Sequence, residues 1–233
     1  MTLPKVSCIM PCGYGDKYVW TAAECWFDQT YEGPLELVIV DNNEDDTLSF
    51  MRETPLPSCV VYVRSPKMPV GALRNLGTSH ATGEVCINWD EDDWSHPDRV
   101  KEQVKRLLES GKAVTGWHSI LFYDMCTVRA YKYSYEPSGR NHPPYAMGTS
   151  QCYLKSWWEK HKFPENQTVE DLGFQQEALY AGQLDSCDAG QLCVVRAHHD
   201  SKCHPQFVGK QFVAVSGDYL PREFYDACVG KKQ

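Results

Sequence analysis

The chain has 233 residues, 42% of them hydrophobic, with 31 acidic side chains against 23 lysines and arginines. That length suits one large domain with ample core, and the net charge of −8 excludes an overall basic footprint for nucleic acid or anionic lipid. No run of about 18 apolar residues marks a transmembrane segment, and Met1-Thr2-Leu3-Pro4-Lys5 lacks the apolar centre of a secretory signal, so a cytoplasmic protein is expected.

Val6-Ser7-Cys8-Ile9-Met10 is a short apolar run of the kind that forms a buried strand. After it, Gly13 and Gly15 occupy the first two positions of a dinucleotide fingerprint. Tyr18 fills the third and is too bulky for the close helix packing needed there, which argues against a nicotinamide or flavin site. Val19, Ala22, Ala23, Trp26 and Phe27 recur at helical spacing and predict an amphipathic helix. Leu35 to Val40, ending at Asp41, and Cys59 to Val63 read as two further strands, and Val70 to His80 as a second helix.

Glu84-Val85-Cys86-Ile87-Asn88-Trp89 then runs into Asp90-Glu91-Asp92-Asp93. Four consecutive acids at the end of a buried strand repel one another unless a cation compensates them. Mg²⁺ or Mn²⁺ held by one or two carboxylates supplies that charge and leaves positions for substrate phosphates. A calcium loop is excluded, because Ser95 and Lys101 stand where its glycine and glutamate belong. The competing reading is a solvated acidic turn in which Asp93 or Ser95 caps the next helix. That helix follows from Val100, Val104, Leu107 and Leu108, with Gly111 at its end. Alternating strands and helices predict a doubly wound, mostly parallel sheet, whose ligands lie outside the carboxyl ends of the strands, where Asp41 and Asp90 to Asp93 converge.

Beyond Ala113 to Trp117 the pattern changes to long alternating stretches such as Leu121 to Tyr135, rich in aromatics, and no linker separates them from the first half. Eleven cysteines, an odd number without paired spacing, read as free thiols in a reducing compartment. Cys187, Cys193 and Cys203 with the nearby histidines leave a structural zinc site open as an alternative.

Val6 to Pro11, Val38-Ile39-Val40-Asp41-Asn42-Asn43, Gly71-Ala72-Leu73-Arg74-Asn75-Leu76-Gly77, Ala81-Thr82-Gly83-Glu84 and Trp89-Asp90-Glu91-Asp92-Asp93, taken in this order, resemble the family 2 glycosyltransferases of the GT-A fold. The later segments Gly148-Thr149-Ser150-Gln151-Cys152-Tyr153, Val169-Glu170-Asp171-Leu172 and His198-His199-Asp200-Ser201 resemble that family more loosely. The resemblance implies an α/β, GT-A-like domain over 1–233, with a nucleotide-sugar-binding half at 1–117 and a smaller mixed acceptor-side half at 118–233. It implies metal-dependent, inverting transfer of a sugar from a nucleotide-diphospho-sugar, UDP-linked, to a hydroxyl acceptor, with Mn²⁺ or Mg²⁺ as cofactor. The acceptor classes are a glycan, a lipid-linked sugar, a protein or a modified DNA base.

By position, the family pattern puts Pro11 at the donor site, Asp41 on the nucleobase and Arg74 near the nucleotide or its diphosphate. Asp90 and Glu91 join the donor site, Asp92 is the direct metal ligand, and His199, or its neighbour His198, returns to the metal. Asp171, beside Glu170, is the base that takes the acceptor proton. Two departures stand out: Asn42 replaces a second acid after Asp41, and Cys12-Gly13-Tyr14-Gly15 replaces the usual Thr-Tyr-Asn type. A nucleotidyltransferase on a similar sheet, or a non-catalytic sugar-nucleotide-binding module, is the alternative function.

Overall fold

The computed structural model describes residues 2–13, 17–44, 48, 51, 55–139, 141–199, 201 and 209–229. Strands β1 (Val6–Cys12), β2 (Leu35–Asp41), β3 (Val60–Arg64) and β4 (Val85–Asn88) are all parallel, in the order β4-β1-β2-β3. Both faces are covered, which is why these strands read as continuous apolar runs. Helices α1 (Val19–Phe27) and α3 (Arg99–Ser110) pack Val19, Trp26, Val100 and Leu107 against Cys8, Met10, Leu37 and Ile87. Helices α2 (Val70–His80) and α5 (Glu170–Tyr180) put Leu73, Phe174 and Ala178 against Ile9, Val38 and Cys86 on the other face. The closeness of α2 depends on Gly77, where a Cβ would stand 2.5 Å from Ile9 and 2.9 Å from Val40. The short helix α4 (Lys155–Trp158) adds Trp158 to that side.

The second half is mixed. Strand β6 (Val114–Asp124) is its hub, antiparallel to β7 (Arg129–Tyr133) and β8 (Cys152–Leu154) and parallel to β9 (Leu184–Asp188) and β10 (Cys193–Ala197). Strand β8 is also antiparallel to β4, so the two halves share hydrogen-bonded strands, and the expected 117/118 boundary falls inside β6. The alternating stretch predicted over Leu121 to Tyr135 is broken into a hairpin. Asp124 makes the turn, its Oδ1 accepting from the backbone of Cys126 (2.9 Å) and Thr127 (3.2 Å) and its Oδ2 from the Thr127 hydroxyl (2.6 Å). Strand β11 (Phe212–Val215) extends this side along β7.

The acidic segment is not a helix cap. Strand β5 (Trp94–Ser95) follows it and pairs antiparallel with β10, and α3 begins only after Asp98. Gly111 ends that helix in the left-handed conformation (φ 62°), as expected. The cysteines among the described residues are free thiols, and Cys203 and His204 lie outside those residues. Among the described residues no helix is long and apolar enough to cross a membrane.

Candidate active site

At the carboxyl ends of the parallel strands a cleft of about 420 Å³ runs between the halves. One wall holds Pro11, Gly13, Arg74 and residues 90–93; the other holds Tyr145, Gly148, Glu170 and Asp171. The four consecutive acids avoid one another by turning to four different partners. Asp90 accepts from Arg74 Nη2 at 3.0 Å, and Glu91 from the Gly13 backbone at 2.6 Å. Asp92 Oδ2 lies 3.0 Å from His198 Nε2. Asp93 turns inward, its Oδ2 accepting from the Thr149 hydroxyl at 2.6 Å and its Oδ1 from the Arg196 backbone at 3.3 Å. Burial, and then the charges of Asp92 and Asp90, push the Asp93 carboxyl well above the usual carboxylate range.

Arg74 projects from α2 into the acids. Its Nε reaches Glu170 at 3.4 Å, while Nη1 is buried without a hydrogen-bond partner among the described residues. Burial opposes its charge, but Asp90, Glu170 and Asp171 more than offset that and raise its pKa. Glu170 is itself buried and faces the arginine. Asp171 lies half-buried on the cleft wall at the start of α5, over Gly148, where a Cβ would come 2.7 Å from its Oδ2. Burial raises the pKa of both carboxyls, against the pull of Arg74.

Asp41, expected on the nucleobase, ends β2. Its carboxylate is fully buried and accepts from the Asn43 backbone (3.0 Å), the Asn43 amide (2.8 Å), the Tyr62 hydroxyl and Arg64 (2.8 Å). As folded it stands behind the cleft, and the neighbouring Asn42 lines the wall. His199 lies just beyond β10. It is exposed, whereas His198 is 3% exposed and meets Asp92. Both faces of β10 are buried, Val194 and Arg196 on one and Cys193 and Ala197 on the other, and the burial ends after His198.

Three participants had no role assigned from the sequence. Thr149 holds Asp93, Arg196 donates from Nε to the Asp92 carbonyl, and Tyr18 stacks on His198 with ring centroids 4.4 Å apart. The Arg196 guanidinium lies 5.0 Å from the same Tyr18 ring. The bulk of Tyr18 thus has a place against His198 and Arg196, and no local pattern singles those two out, since both faces of β10 are buried.

The donor set suits a hard divalent cation. Asp92 Oδ2 and His198 Nε2, hydrogen-bonded at 3.0 Å, are the carboxylate and imidazole that could hold it. Among the described residues no third histidine, cysteine or carboxylate completes the set. A divalent ion held by as little as one carboxylate takes its remaining ligands from substrate phosphates and water.

Solved structures with this architecture include the S. aureus protein TarS in complex with UDP (TM-score 0.58, 18% identity, 82% of this chain and 60% of that one). Another is the Pyrobaculum calidifontis mannosyltransferase PcManGT in complex with GDP-Man and Mn²⁺ (TM-score 0.65, 19% identity, 85% of this chain and 58% of that one). An uncharacterized glycosyltransferase of Haemophilus influenzae is 29% identical over 121 residues, covering 51% of this chain and 37% of the relative. The chain therefore spans less than two thirds of the length of each of these relatives. The two structural likenesses establish a GT-A-type fold with a mostly parallel central sheet. The model of the glycosyl transferase family 2 matches residues 7–171, which takes in the strand ends, the acidic segment, Arg74, Glu170 and Asp171, and the chain belongs to glycosyltransferase family 2.

Proposed function

We propose that the chain transfers a sugar from a nucleotide-diphospho-sugar to a hydroxyl acceptor, with inversion at the anomeric carbon and with Mn²⁺ or Mg²⁺ bound at Asp92 and His198. The observation that carries this reading is the polarity of the cleft. One wall offers a buried guanidinium nitrogen of Arg74 beside the acidic segment, and the other offers the carboxylate of Asp171. TarS structures hold UDP and UDP-GlcNAc, and PcManGT holds GDP-Man, so a UDP-linked donor is the first to test and a GDP-linked donor the second.

The chemistry follows from charge. Asp171 takes the proton of the acceptor hydroxyl as its oxygen bonds to the anomeric carbon. The bond from that carbon to the phosphate oxygen breaks on the opposite face, and the departing diphosphate gains negative charge. Arg74 Nη1 donates to that charge from a preorganised position. A divalent ion, when bound, supplies further compensation for the leaving group. Asp90 and Glu170 keep the guanidinium in place, and Glu91 shapes the donor wall through Gly13. Asp41, at the end of β2 beside the cleft-lining Asn42, serves the nucleobase end of the donor.

The test is a thermal-shift screen of UDP- and GDP-linked sugars with and without Mn²⁺, followed by product analysis. Stabilisation by one donor that needs the metal, with release of nucleoside diphosphate, supports the reading. Release of pyrophosphate marks a nucleotidyltransferase, and binding without transfer or donor hydrolysis marks a non-catalytic module.

A further inference from the structure

Arg99 is the most deeply committed charge in the molecule. It is fully buried, and its guanidinium is engaged at every nitrogen. Nε donates to Gln103 Oε1 at 3.1 Å, and Nη1 to the Ser95 hydroxyl at 2.7 Å and, at 4.0 Å, to the Cys193 sulfur. Nη2 donates to two carbonyls, Asn88 at 2.8 Å and Thr149 at 2.6 Å. The indole rings of Trp89 and Trp117 lie 4.5 Å and 5.3 Å from its centre. None of these partners is a carboxylate. The buried acid whose charge Arg99 favours is Asp93, and a buried ionic group is often no more stabilising than an apolar side chain of similar volume. Stability alone therefore does not account for it.

What the guanidinium delivers is a fixed distance between the two walls of the cleft. Asn88 ends β4, immediately before Trp89 and the acids. Thr149 lies in the turn Gly148–Ser150, whose glycine abuts Asp171 and whose threonine holds Asp93. Further bonds join the same segments: Asn88 Nδ2 to the Gly148 carbonyl at 2.9 Å and Gln103 Nε2 to the Ser150 carbonyl at 2.5 Å. One nitrogen, Nη2, donates to carbonyls on both sides, and the planar group fixes it there because Nε and Nη1 are held by Gln103 and Ser95; an ammonium has the charge without those two anchors.

We propose that Arg99 is a positioning residue that sets the general base against the donor wall, acting through the turn Gly148–Ser150. This rests on the assignment of Asp171 as the base. A displacement of about 1 Å between reacting groups lowers turnover by up to about 100-fold without changing the groups themselves.

The experiment uses the full chain with Arg99→Lys and, since a fully buried site tolerates little, Gln103→Met, which releases the same turn without removing a charge. UDP-glucose, UDP-N-acetylglucosamine and GDP-mannose are supplied with Mn²⁺, water serving as acceptor, and amide exchange is followed in parallel. Arg99→Lys is expected to lower kcat for donor hydrolysis by about 10- to 100-fold while the donor KM stays within about twofold, and Gln103→Met to do the same more weakly. Amides of residues 148–151 and 88–93 exchange faster together. A wild-type kcat, a KM that rises while kcat holds, or faster exchange confined to one of the two segments overturns the proposal. If the wild-type protein hydrolyses none of the donors, the glycosyltransferase reading is what fails, and the exchange result still decides whether Arg99 couples the two walls.

Discussion

The two ends of the parallel sheet treat buried acids in opposite ways. At the amino ends of the strands, Glu36 is 4% exposed, yet its oxygens accept from the Ser7 hydroxyl (2.6 Å) and from the Thr82 backbone (2.9 Å) and hydroxyl (2.6 Å), with Lys5 at 3.2 Å. Burial alone would raise its pKa, but these donors outweigh it and hold the carboxyl below its ordinary value. At the carboxyl ends, Asp93, Glu170 and Asp171 are all pushed upward. What differs is whether the chain supplies enough donors of its own. Acids satisfied internally act as structure, and acids left short of positive charge are available to a cation, a proton or a substrate. Asp41 refines the rule, because it stands at a cleft-end strand terminus and is nevertheless saturated by Asn43, Tyr62 and Arg64.

The largest effect expected from this contrast is on metal dependence. Excess chelator should abolish turnover and added Mn²⁺ restore it, while Asp92→Ala should lose turnover and no longer gain thermal stability from Mn²⁺. Undiminished activity in chelator, or a Mn²⁺-dependent rise in Tm that survives Asp92→Ala, would remove the distinction between the two ends.

Next in size is the base. Asp171→Asn preserves shape but cannot accept a proton, so turnover should fall about 10²- to 10⁴-fold with nucleotide affinity intact. The pH dependence has a definite sign. The base must be ionised and its pKa is raised, so wild-type activity should fall on acidification above the ordinary carboxylate range, and Asp171→Asn should lose that limb. The raised pKa also means that ionised Asp171 costs stability at neutral pH, so the variant should unfold no more easily than wild type there. Loss of nucleotide binding would instead move Asp171 to the donor wall.

Arg74→Ala sharpens the same contrast from the cationic side. Removing the donor aimed at the diphosphate should weaken nucleoside diphosphate binding by roughly 1.5 to 3 kcal/mol. Calorimetry that shows wild-type affinity would mean that Nη1 does not serve the nucleotide.

Much of this was legible from the chain alone, for identifiable reasons. Buried parallel strands announce themselves as β-branched runs, and α1 and α3 as apolar stripes, because their patterns are local. The acids were legible as a group, since four adjacent carboxylates are improbable without a use. Their individual directions were not, because the partners Arg74, Gly13, His198 and Thr149 are brought in by tertiary register that no local pattern encodes. The partners of Asp41 were hidden for the same reason: Arg64 sits opposite it only through the β2 and β3 pairing. The stretch from Leu121 to Tyr135 looked continuous because Asp124, which turns the chain, is a single residue inside an otherwise alternating pattern.

The smallest expected effect tests the far end of the sheet. Glu36→Gln replaces an acceptor-only group with one whose amide nitrogen must face the donors of Ser7 or Thr82, so the fold should lose about 1.5 kcal/mol, the lower range for hydrogen bonds to charged groups. Glu36 has a native pKa below its unfolded value, so its contribution is present above the ordinary carboxylate range and disappears as the pH falls through the native pKa. The gap in stability between wild type and Glu36→Gln should therefore be widest at neutral pH and close on acidification, opposite in direction to the behaviour of Asp171. Turnover per folded molecule should be unchanged, because Glu36 lies at the end of the strands remote from the cleft. A gap that widens in acid would show that the Ser7, Thr82 and Lys5 donors do not favour the charged form, and the contrast between the two ends would then rest on burial alone.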